Sequence, residues 1–573
     1  MERPFVKRPP KWRQVFLLGV LSLWFVGLGG YVVLKQTQDH DYLQSQGDRR
    51  YLREVKVIPE RGAIFDRNNQ VLTVSTPVES LVADPRLFCL DDAVWAEMAA
   101  VIKIDLEKLA DRCDRYRRSE FMYVARRLPP SVAKQVLNLG IEGLELRQEY
   151  KRFYPGGEIG SHLVGFTDVD SRGQEGLERL YDQALSGSPG RKRVLKSLSG
   201  HHVESVESIA QVAHGQNLTI SIDQRLQSMA SEYLKQAVTE SKGVSGSVVV
   251  VAVPSGEILT MVNYPQFNPN DRSSLRSEWI RNRAVTDAVE PGSTVKPFTV
   301  AMALESGEVG VETMVDTAPG KFRVGGRTIE DTKNHGEISL FDVVVRSSNI
   351  GSAKLLLSFP EGVMFDVLDK LGFGHKPLGF PGEAAGNLQP RSRPIDRATL
   401  SYGYGFSASI LQLARAYTTF ATDGFLLPLS IEKKPQGYVA QGEQIFSAST
   451  VSSIRAMLER AASPEGTGQR AQVPRYRIGG KTGTVHKYID QAYADDRYIS
   501  LFAGIAPISD PGYVVVVMID DPREEEYYGG DVAAPVFARL TEDMLRLYNV
   551  EPDHPDYLTV QVSEGGARSG GRI

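Results

Sequence analysis

Glu290-Pro291-Gly292-Ser293-Thr294-Val295-Lys296-Pro297 is the stretch on which the reading of this chain turns. Proline has no N–H to donate and a fixed φ, so Pro297 is expected in the first turn of a helix. Ser293 then stands at the helix entrance, with Lys296 one turn along on the same face. A serine hydroxyl is a poor nucleophile until a neighbouring base takes its proton, and a desolvated lysine can be that base. The spacing alone is unspecific, because Ser131-Val132-Ala133-Lys134 and Ser430-Ile431-Glu432-Lys433 repeat it and read as ordinary surface residues.

Two later motifs supply the specificity, Ser347-Ser348-Asn349 and Lys481-Thr482-Gly483-Thr484. Each has a structural reading: Ser-Ser-Asn is turn or helix-cap composition, and Lys-Thr-Gly could end a strand. On a strand, however, Gly483 would let a ligand backbone approach closely, and Lys481 would offer a point charge to a carboxylate. In this order the three motifs match the set shared by penicillin-binding proteins and class A β-lactamases.

The surrounding sequence predicts the scaffold. Leu226, Met229, Ala230, Tyr233, Leu234, Ala237 and Val238 form the i, i+3, i+4, i+7 stripe of an amphipathic helix. Val248 to Val253 and Ile258 to Val262, joined by Pro254-Ser255-Gly256, predict a hairpin. Arg477 to Val485, Ser500 to Ala506 and Tyr513 to Ile519 predict three more strands, followed by a helix from Pro535 to Tyr548. The fold class is therefore α+β: an antiparallel five-stranded sheet built from both ends of a domain over 216–555, flanked by helices, with a large and mostly helical insert that carries Ser293 and Ser347.

Further towards the N-terminus, residues 35–215 mix short strands and helices with many charges. Asn68-Asn69, between apolar runs, predicts a hairpin turn that tolerates positive φ. Ser197 to Gln216, with Gly200-His201-His202 and Ala213-His214-Gly215, reads as a polar linker. Val15 to Leu34 are twenty residues without a charge, which as a helix would span the roughly 30 Å of a bilayer core. Arg3, Lys7, Arg8, Lys11 and Arg13 precede them, so a tail over 1–14 is expected in the cytoplasm and everything after Lys35 outside. The last residues, 556–573, read as a disordered tail.

Composition narrows the partners. With 66 Lys and Arg against 70 Asp and Glu, no basic surface for nucleic acid is expected. Cys89 and Cys113, with nine histidines, fit no zinc spacing, and no metal or cofactor is expected. An oxidising location would permit a Cys89–Cys113 bridge. Leu106, Leu109 and Cys113 nevertheless share one helical stripe, which favours Cys113 as a small buried apolar residue. Asp520-Asp521 with Glu524-Glu525-Glu526 reads as a solvated loop. His335 and His486, close to the motifs, read as structural, since a Ser-Lys pair already supplies nucleophile and base. Tyr527 and Tyr528 receive no role.

From the N-terminal apolar run to about residue 548 the chain resembles a class B penicillin-binding protein of the division-specific, FtsI type. Arg61-Gly62 through Asp66-Arg67-Asn68, Arg152-Phe153-Tyr154-Pro155 and Gly173-Gln174-Glu175-Gly176-Leu177-Glu178 resemble the three motifs of that family's elongated pedestal domain. One departure is Asn69, where the family usually has glycine. Arg281-Asn282-Arg283-Ala284, Gly379-Phe380-Pro381-Gly382-Glu383, Tyr402-Gly403-Tyr404-Gly405 and Val532-Ala533-Ala534-Pro535-Val536-Phe537 point to the septal branch.

The resemblance implies a serine D,D-transpeptidase of the inner membrane that cross-links peptidoglycan stem peptides ending in D-Ala-D-Ala and is acylated by β-lactams. It implies that Ser293 is the nucleophile, Lys296 the base and Ser347 a proton relay. Asn349 would hold the substrate amide, and Lys481, Thr482, Gly483 and Thr484 would form the carboxylate-binding strand. The backbone N–H groups of Ser293 and Thr484 would form the oxyanion hole. Glycan polymerisation is expected from a separate partner, a lipid II polymerase among other divisome membrane proteins. A D,D-carboxypeptidase, a β-lactamase, a β-lactam sensor and a non-catalytic division scaffold are the alternatives.

Overall fold

The computed structural model of the chain describes residues 10–554 apart from 39–40, 43–44, 46–51, 91–92, 94, 197–201, 274 and 490–491. The tail expected over 556–573 and most of that over 1–14 lie outside the described residues. The uncharged run falls within helix α1 (Lys11–Gln38), which has no buried residue and a most apolar window with mean hydropathy 2.1. At 1.5 Å per residue its 28 residues extend about 42 Å. The helix exceeds the expected 15–34 because Lys11, Arg13 and Lys35 continue it at both ends, their stems compatible with an apolar flank.

By compactness the chain divides into two units, one of residues 1–60, 77–150 and 187–214, the other of 61–76, 151–186 and 215–573. The units interleave along the sequence.

In the first unit, Phe88, Trp95, Met98, Leu109, Val124 and Val136 form a core beneath the helices Trp95–Ile102 and Leu106–Tyr116. Cys113 is buried on the Leu109 stripe as expected, yet it is bonded to Cys89, with Cα atoms 5.8 Å apart. This corrects the reading of an unbridged cysteine: one helix's periodicity reports that Cys113 faces inward and is silent about what it meets there. The bridge closes a loop with a sequence separation of 24, and its reduction is expected to cost this unit about 3 kcal/mol. Melting the protein with and without reductant tests this, and an unchanged first-unit transition would contradict it.

The linker reading of 197–216 is also corrected. His202–Ala210 is a strand, antiparallel to Gly190–Lys196, which pairs in turn with Leu52–Val57. The pairing of the first two shifts register at three places, and such irregularities break the period-2 alternation by which a strand is recognised. Gly200 and His201 lie outside the described residues.

The second unit opens with the predicted turn. Ile64–Phe65 pairs antiparallel with the start of the strand Val71–Ala83, Asn69 adopts φ 61°, and Asp66 Oδ1 accepts from the Asn68 and Gln70 N–H groups at 2.7 and 2.8 Å. Asn at 69 thus fills the left-handed position that glycine would fill. Close by, the fully buried Glu178 accepts from Arg61 Nε and Arg152 Nε, both at 2.6 Å, while Arg61 also reaches Asp182 Oδ1 at 2.7 Å.

The main sheet follows in the same unit. Helix α2 (Gln224–Glu240) carries the predicted apolar stripe. Strands β1 (Ser245–Ala252), β2 (Ile258–Tyr264), β3 (Gly479–Ile489), β4 (Ala492–Ala506) and β5 (Tyr513–Asp520) form one antiparallel sheet in the order β2-β1-β5-β4-β3. Alternate residues of β1 and β5 serve opposite faces. Val248, Val250, Val515 and Val517 pack with α2 and with α6 (Gly529–Leu547). Val249, Val251, Val514 and Val516 pack into the insert, around Phe298 and Tyr417.

The expected start of the last helix at Pro535 is corrected to Gly529, six residues earlier, with Pro535 inside the helix. Proline favours a helix start only as a preference. Here Gly529 is required instead, since a Cβ on it would lie 2.4 Å from the carbonyl oxygens of Gly483 and Leu501. The close approach brings the helix onto β3.

Candidate active site

The insert delivers the serine and lysine as the spacing predicts, with one refinement. Gly292–Val295 is a 3-10 turn that runs into α3 (Lys296–Glu305), and Pro297 sits in the first turn of that helix. Gly292 has φ 55°, and a Cβ there would meet Val485 at 2.5 Å. Gly403, from the Tyr402–Gly405 string, accepts from the Gly292 N–H at 3.1 Å. Helix α5 (Ile410–Ala421) supports the turn from beneath through Tyr417, whose hydroxyl donates to the Thr294 carbonyl at 2.8 Å.

Lys296 is fully buried, and its Nζ is the hub of the site. Nζ lies 2.9 Å from Ser293 Oγ, 3.0 Å from Ser347 Oγ, 2.5 Å from the Ser347 carbonyl and 2.8 Å from Asn349 Oδ1. A neutral amine has two hydrogens and one lone pair. With the hydrogens given to the Ser347 carbonyl and Asn349, the lone pair is free to accept from the Ser293 hydroxyl. Burial first, and the charge of Lys481 second, hold the Lys296 pKa well below the ordinary lysine value, the direction in which the amine can be neutral near pH 7.

The Ser-Ser-Asn motif is both a helix cap and part of the site. Ser347 adopts φ 60°, a conformation costly for a non-glycine residue, and from it both its oxygens reach Lys296. Ser348 caps α4 (Asn349–Leu357) by accepting from the Gly351 N–H at 2.8 Å. Asp331, which sequence reasoning missed, organises this end: its Oδ2 accepts from Ser348 Oγ at 2.5 Å and its Oδ1 from the Asn349 N–H at 2.6 Å. A carboxylate at a helix N-terminus is electrostatically favoured there. No local sequence signal links Asp331 to a motif 16 residues on.

Lys481, Thr482, Gly483 and Thr484 lie on β3, the edge strand next to the 3-10 turn. Lys481 is fully buried and, among the described residues, makes only long hydrogen bonds, 3.3 to 3.4 Å, to Thr482 and Thr467. Burial pulls its pKa down to about 7. Thr482 and Thr467 hydroxyls are 2.7 Å apart, so Thr467 is a second residue the sequence did not disclose. Thr484 Oγ1 accepts from the Gly529 N–H at 2.9 Å.

The structure thus gathers Ser293, Lys296, Ser347 and Asn349 directly, with Lys481 near enough to depress the Lys296 pKa. The other two serine–lysine pairs lie elsewhere: Ser131 and Lys134 are exposed on the helix Pro130–Leu137, and Ser430 donates to the Glu432 carbonyl. His486 Nδ1 lies 2.9 Å from the Ala494 carbonyl. Neither it nor His335 hydrogen-bonds Ser293 among the described residues. The solvated-loop reading of Asp520–Glu526 is corrected at Asp521, which is fully buried and pairs with Arg497 and Arg523. Those partners are distant enough in sequence, or exposed enough by type, to hide the pairing from a reading of local charge. Tyr527 stacks between Tyr498 and Tyr528.

The protein families that this chain matches follow one another along the sequence, unlike the interleaved compact units. The penicillin binding protein transpeptidase domain family matches residues 246–542, and the penicillin-binding protein dimerisation domain family matches 56–220. Among curated relatives, the peptidoglycan D,D-transpeptidase FtsI of Escherichia coli K12 is 40% identical over 551 residues, covering 95% of this chain and 93% of its own length. The probable peptidoglycan D,D-transpeptidase PenA of Neisseria meningitidis is 38% identical over 559 residues, 96% of this chain and 95% of the relative. Among solved structures, the apo transpeptidase domain of penicillin-binding protein 3 from Burkholderia pseudomallei covers 59% of this chain and 98% of its own at 40% identity, with a TM-score of 0.54. Penicillin-binding protein 3 from Mycobacterium tuberculosis, complexed with aztreonam, covers 87% of this chain and 99% of its own at 25% identity, with a TM-score of 0.67.

Proposed function

Because the chain belongs to the class B penicillin-binding proteins, as a peptidoglycan D,D-transpeptidase of the FtsI type, we propose that Ser293 is its acylated nucleophile and Lys296 the base that activates it. The observation that carries this is the contact of Lys296 Nζ with both Ser293 Oγ and Ser347 Oγ. The Ser293 proton passes to Lys296 as Oγ attacks the carbonyl of the penultimate D-Ala. The oxyanion develops between the N–H groups of Ser293 and Thr484; loss of one such donor typically costs about 10²–10³ in rate. Ser347 then relays a proton from Lys296 to the departing D-Ala nitrogen. In the second half the amine of a neighbouring stem peptide attacks the ester, loses a proton by the same route, and returns Ser293 to its hydroxyl form with a new amide bond made.

Lys481, with the Thr482 and Thr484 hydroxyls, receives the terminal carboxylate of the donor, or that of a β-lactam. Its weak hydrogen bonds in the free site leave the cation available. Asn349 positions Lys296 and presents its amide to the substrate. The helix over Lys11–Gln38 anchors the chain in the inner membrane, with its N-terminus in the cytoplasm and the catalytic unit outside, at the division septum beside a lipid II polymerase and other divisome membrane proteins. A reporter fused after residue 60 is expected to be active only outside the cytoplasm, and activity inside would contradict the orientation.

A pH profile separates the two lysines. The free-enzyme kcat/KM for acylation is expected to fall on the acid side as Lys296 becomes protonated, and on the alkaline side as Lys481, held at about 7, loses its charge. Lys481→Arg keeps a cation at every working pH, so the alkaline limb should vanish although the rate is lower. A limb that survives in Lys481→Arg belongs to another group.

The function itself is tested on uncross-linked glycan strands bearing D-Ala-D-Ala stems. Purified full-length protein should release D-Ala and form linked stem dimers together. Release of D-Ala without dimers would make the protein a carboxypeptidase, and neither product would make it a scaffold or sensor.

A further inference from the structure

Between β5 and α6 the chain crosses residues 521–528, a loop whose middle, 523–526, is exposed. Its two ends are held to β4 by buried side chains that the catalytic assignments leave unused. At the first end stands Asp521, fully buried and at φ 58°. Its two carboxylate oxygens accept from the Arg497 guanidinium, one of them also from Arg523 Nη2 at 3.1 Å, and its N–H donates to the Tyr498 carbonyl at 2.8 Å. At the second end Ser500, also fully buried, donates its hydroxyl to the Tyr527 carbonyl, and the Tyr527 ring stacks on Tyr498 with centroids 4.0 Å apart. Two residues on, the Gly529 N–H donates to Thr484 Oγ1 at 2.9 Å.

Ser500 and Thr484 are register partners across β4 and β3, and directly opposed residues of an antiparallel pair carry their side chains on one face, about 4.5–5.5 Å apart at Cβ. The two hydroxyls therefore grip one turn of backbone, Ser500 by the carbonyl of 527 and Thr484 by the N–H of 529. This division of roles decides where the Thr484 hydrogen can go. A hydroxyl has one hydrogen to donate and lone pairs to accept with. Thr484 Oγ1 accepts from Gly529 and makes no other hydrogen bond among the described residues, so its hydrogen remains for a ligand. We propose that Ser500 and Asp521 are positioning residues for carboxylate recognition: by fixing the two ends of the loop they keep the Gly529 N–H on Thr484 Oγ1, so that the Thr484 hydrogen is presented to the carboxylate of the donor or of a β-lactam. Without the Ser500 hydroxyl, the Tyr527 carbonyl is left as an acceptor, and the hydrogen that a ligand needs is taken up within the protein. Neither residue touches substrate or takes part in proton transfer. The inference rests on the assignment of Lys481, Thr482 and Thr484 to the carboxylate and deepens it.

The test uses the full chain in detergent and two acylating probes, benzylpenicillin and its carboxamide, which differ only in a carboxylate against a neutral amide. The ratio of their second-order acylation rates reads carboxylate recognition, because damage to the serine, its base or the oxyanion donors slows both probes. The wild type is expected to prefer the acid by about tenfold, the scale of charge-assisted contacts. Ser500→Ala and Asp521→Asn should each lower the ratio about fivefold, the scale of one hydrogen bond; asparagine suits position 521 because it tolerates positive φ. Thr484→Val should lower the ratio as much. In the Thr484→Val background Ser500→Ala should change it no further, the non-additivity expected of residues that act through one another. Thermal melting checks the fold, and if Ser500→Ala does not fold, Asp521→Asn must show both the lowered ratio and its loss of effect beside Thr484→Val. A ratio unchanged in the folded variants, or lowered equally with and without the Thr484 hydroxyl, would overturn the positioning role. The wild type keeps the two readings apart: equal acylation by acid and amide removes the carboxylate assignment and the positioning role with it, whereas a preference that the variants retain removes the positioning role alone.

Discussion

Arginine in place of Lys296 is expected to slow acylation of Ser293 by a reporter β-lactam by about 10²–10⁴-fold, the range for loss of a general base. The guanidinium keeps its proton at any working pH and so cannot accept one from Ser293 Oγ, 2.9 Å from Nζ in the native site. Because the position is fully buried and the larger head could disturb packing, Lys296→Met serves beside it as a neutral side chain of similar length, with thermal melting as the control for both. If folded Lys296→Arg acylated within about threefold of wild type, far inside the range for loss of a base, Lys296 would be only a positive charge and another group would have to activate Ser293. The contrast with Lys481→Arg makes the result specific, since there the cation is retained for a role that needs one.

The second large effect is on stability. Glu178→Ala removes the carboxylate shared by Arg61 and Arg152, both with side chains only 2% exposed. Breaking a buried pair by deleting one partner typically costs about 3–5 kcal/mol, because an uncompensated charge is left in a poor solvent. Here two guanidiniums are left, and among the described residues only Arg61 has another carboxylate, Asp182, to fall back on. Denaturant unfolding of the second unit should therefore move to markedly lower midpoint in Glu178→Ala. A loss below about 1 kcal/mol, the scale of an exposed pair, would mean that the network relaxes to water on removal of the carboxylate.

These two sites illustrate what the sequence makes legible. The main sheet and its helices could be read directly because β1 and β5 are short valine-rich runs and α2 carries an unbroken apolar stripe. Ser293 and Lys296 were equally readable, because three residues along one turn fix their geometry before any tertiary contact is made. Ser347 and Lys481 were legible only as members of a set: nothing local says that their side chains approach α3. Asp331 and Thr467 escaped because their roles exist only through contacts made after folding, to Ser348 and Asn349 in one case and to Lys481 and Thr482 in the other. The Cys89–Cys113 bridge and the His202–Ala210 strand were missed for related reasons. A stripe reveals the inward face of its own helix and not the partner, and repeated register shifts erase the alternation on which strand recognition depends.

All of the proposed chemistry requires one atom, Ser293 Oγ, to become acylated. The most direct measurement is peptide mapping by mass spectrometry after the full-length protein, in detergent, has been treated with penicillin. A single penicilloyl adduct on Ser293, absent from Ser293→Ala, is the predicted result. An adduct on Ser131, Ser430 or Ser347 instead, or none on a protein that melts normally, would contradict it.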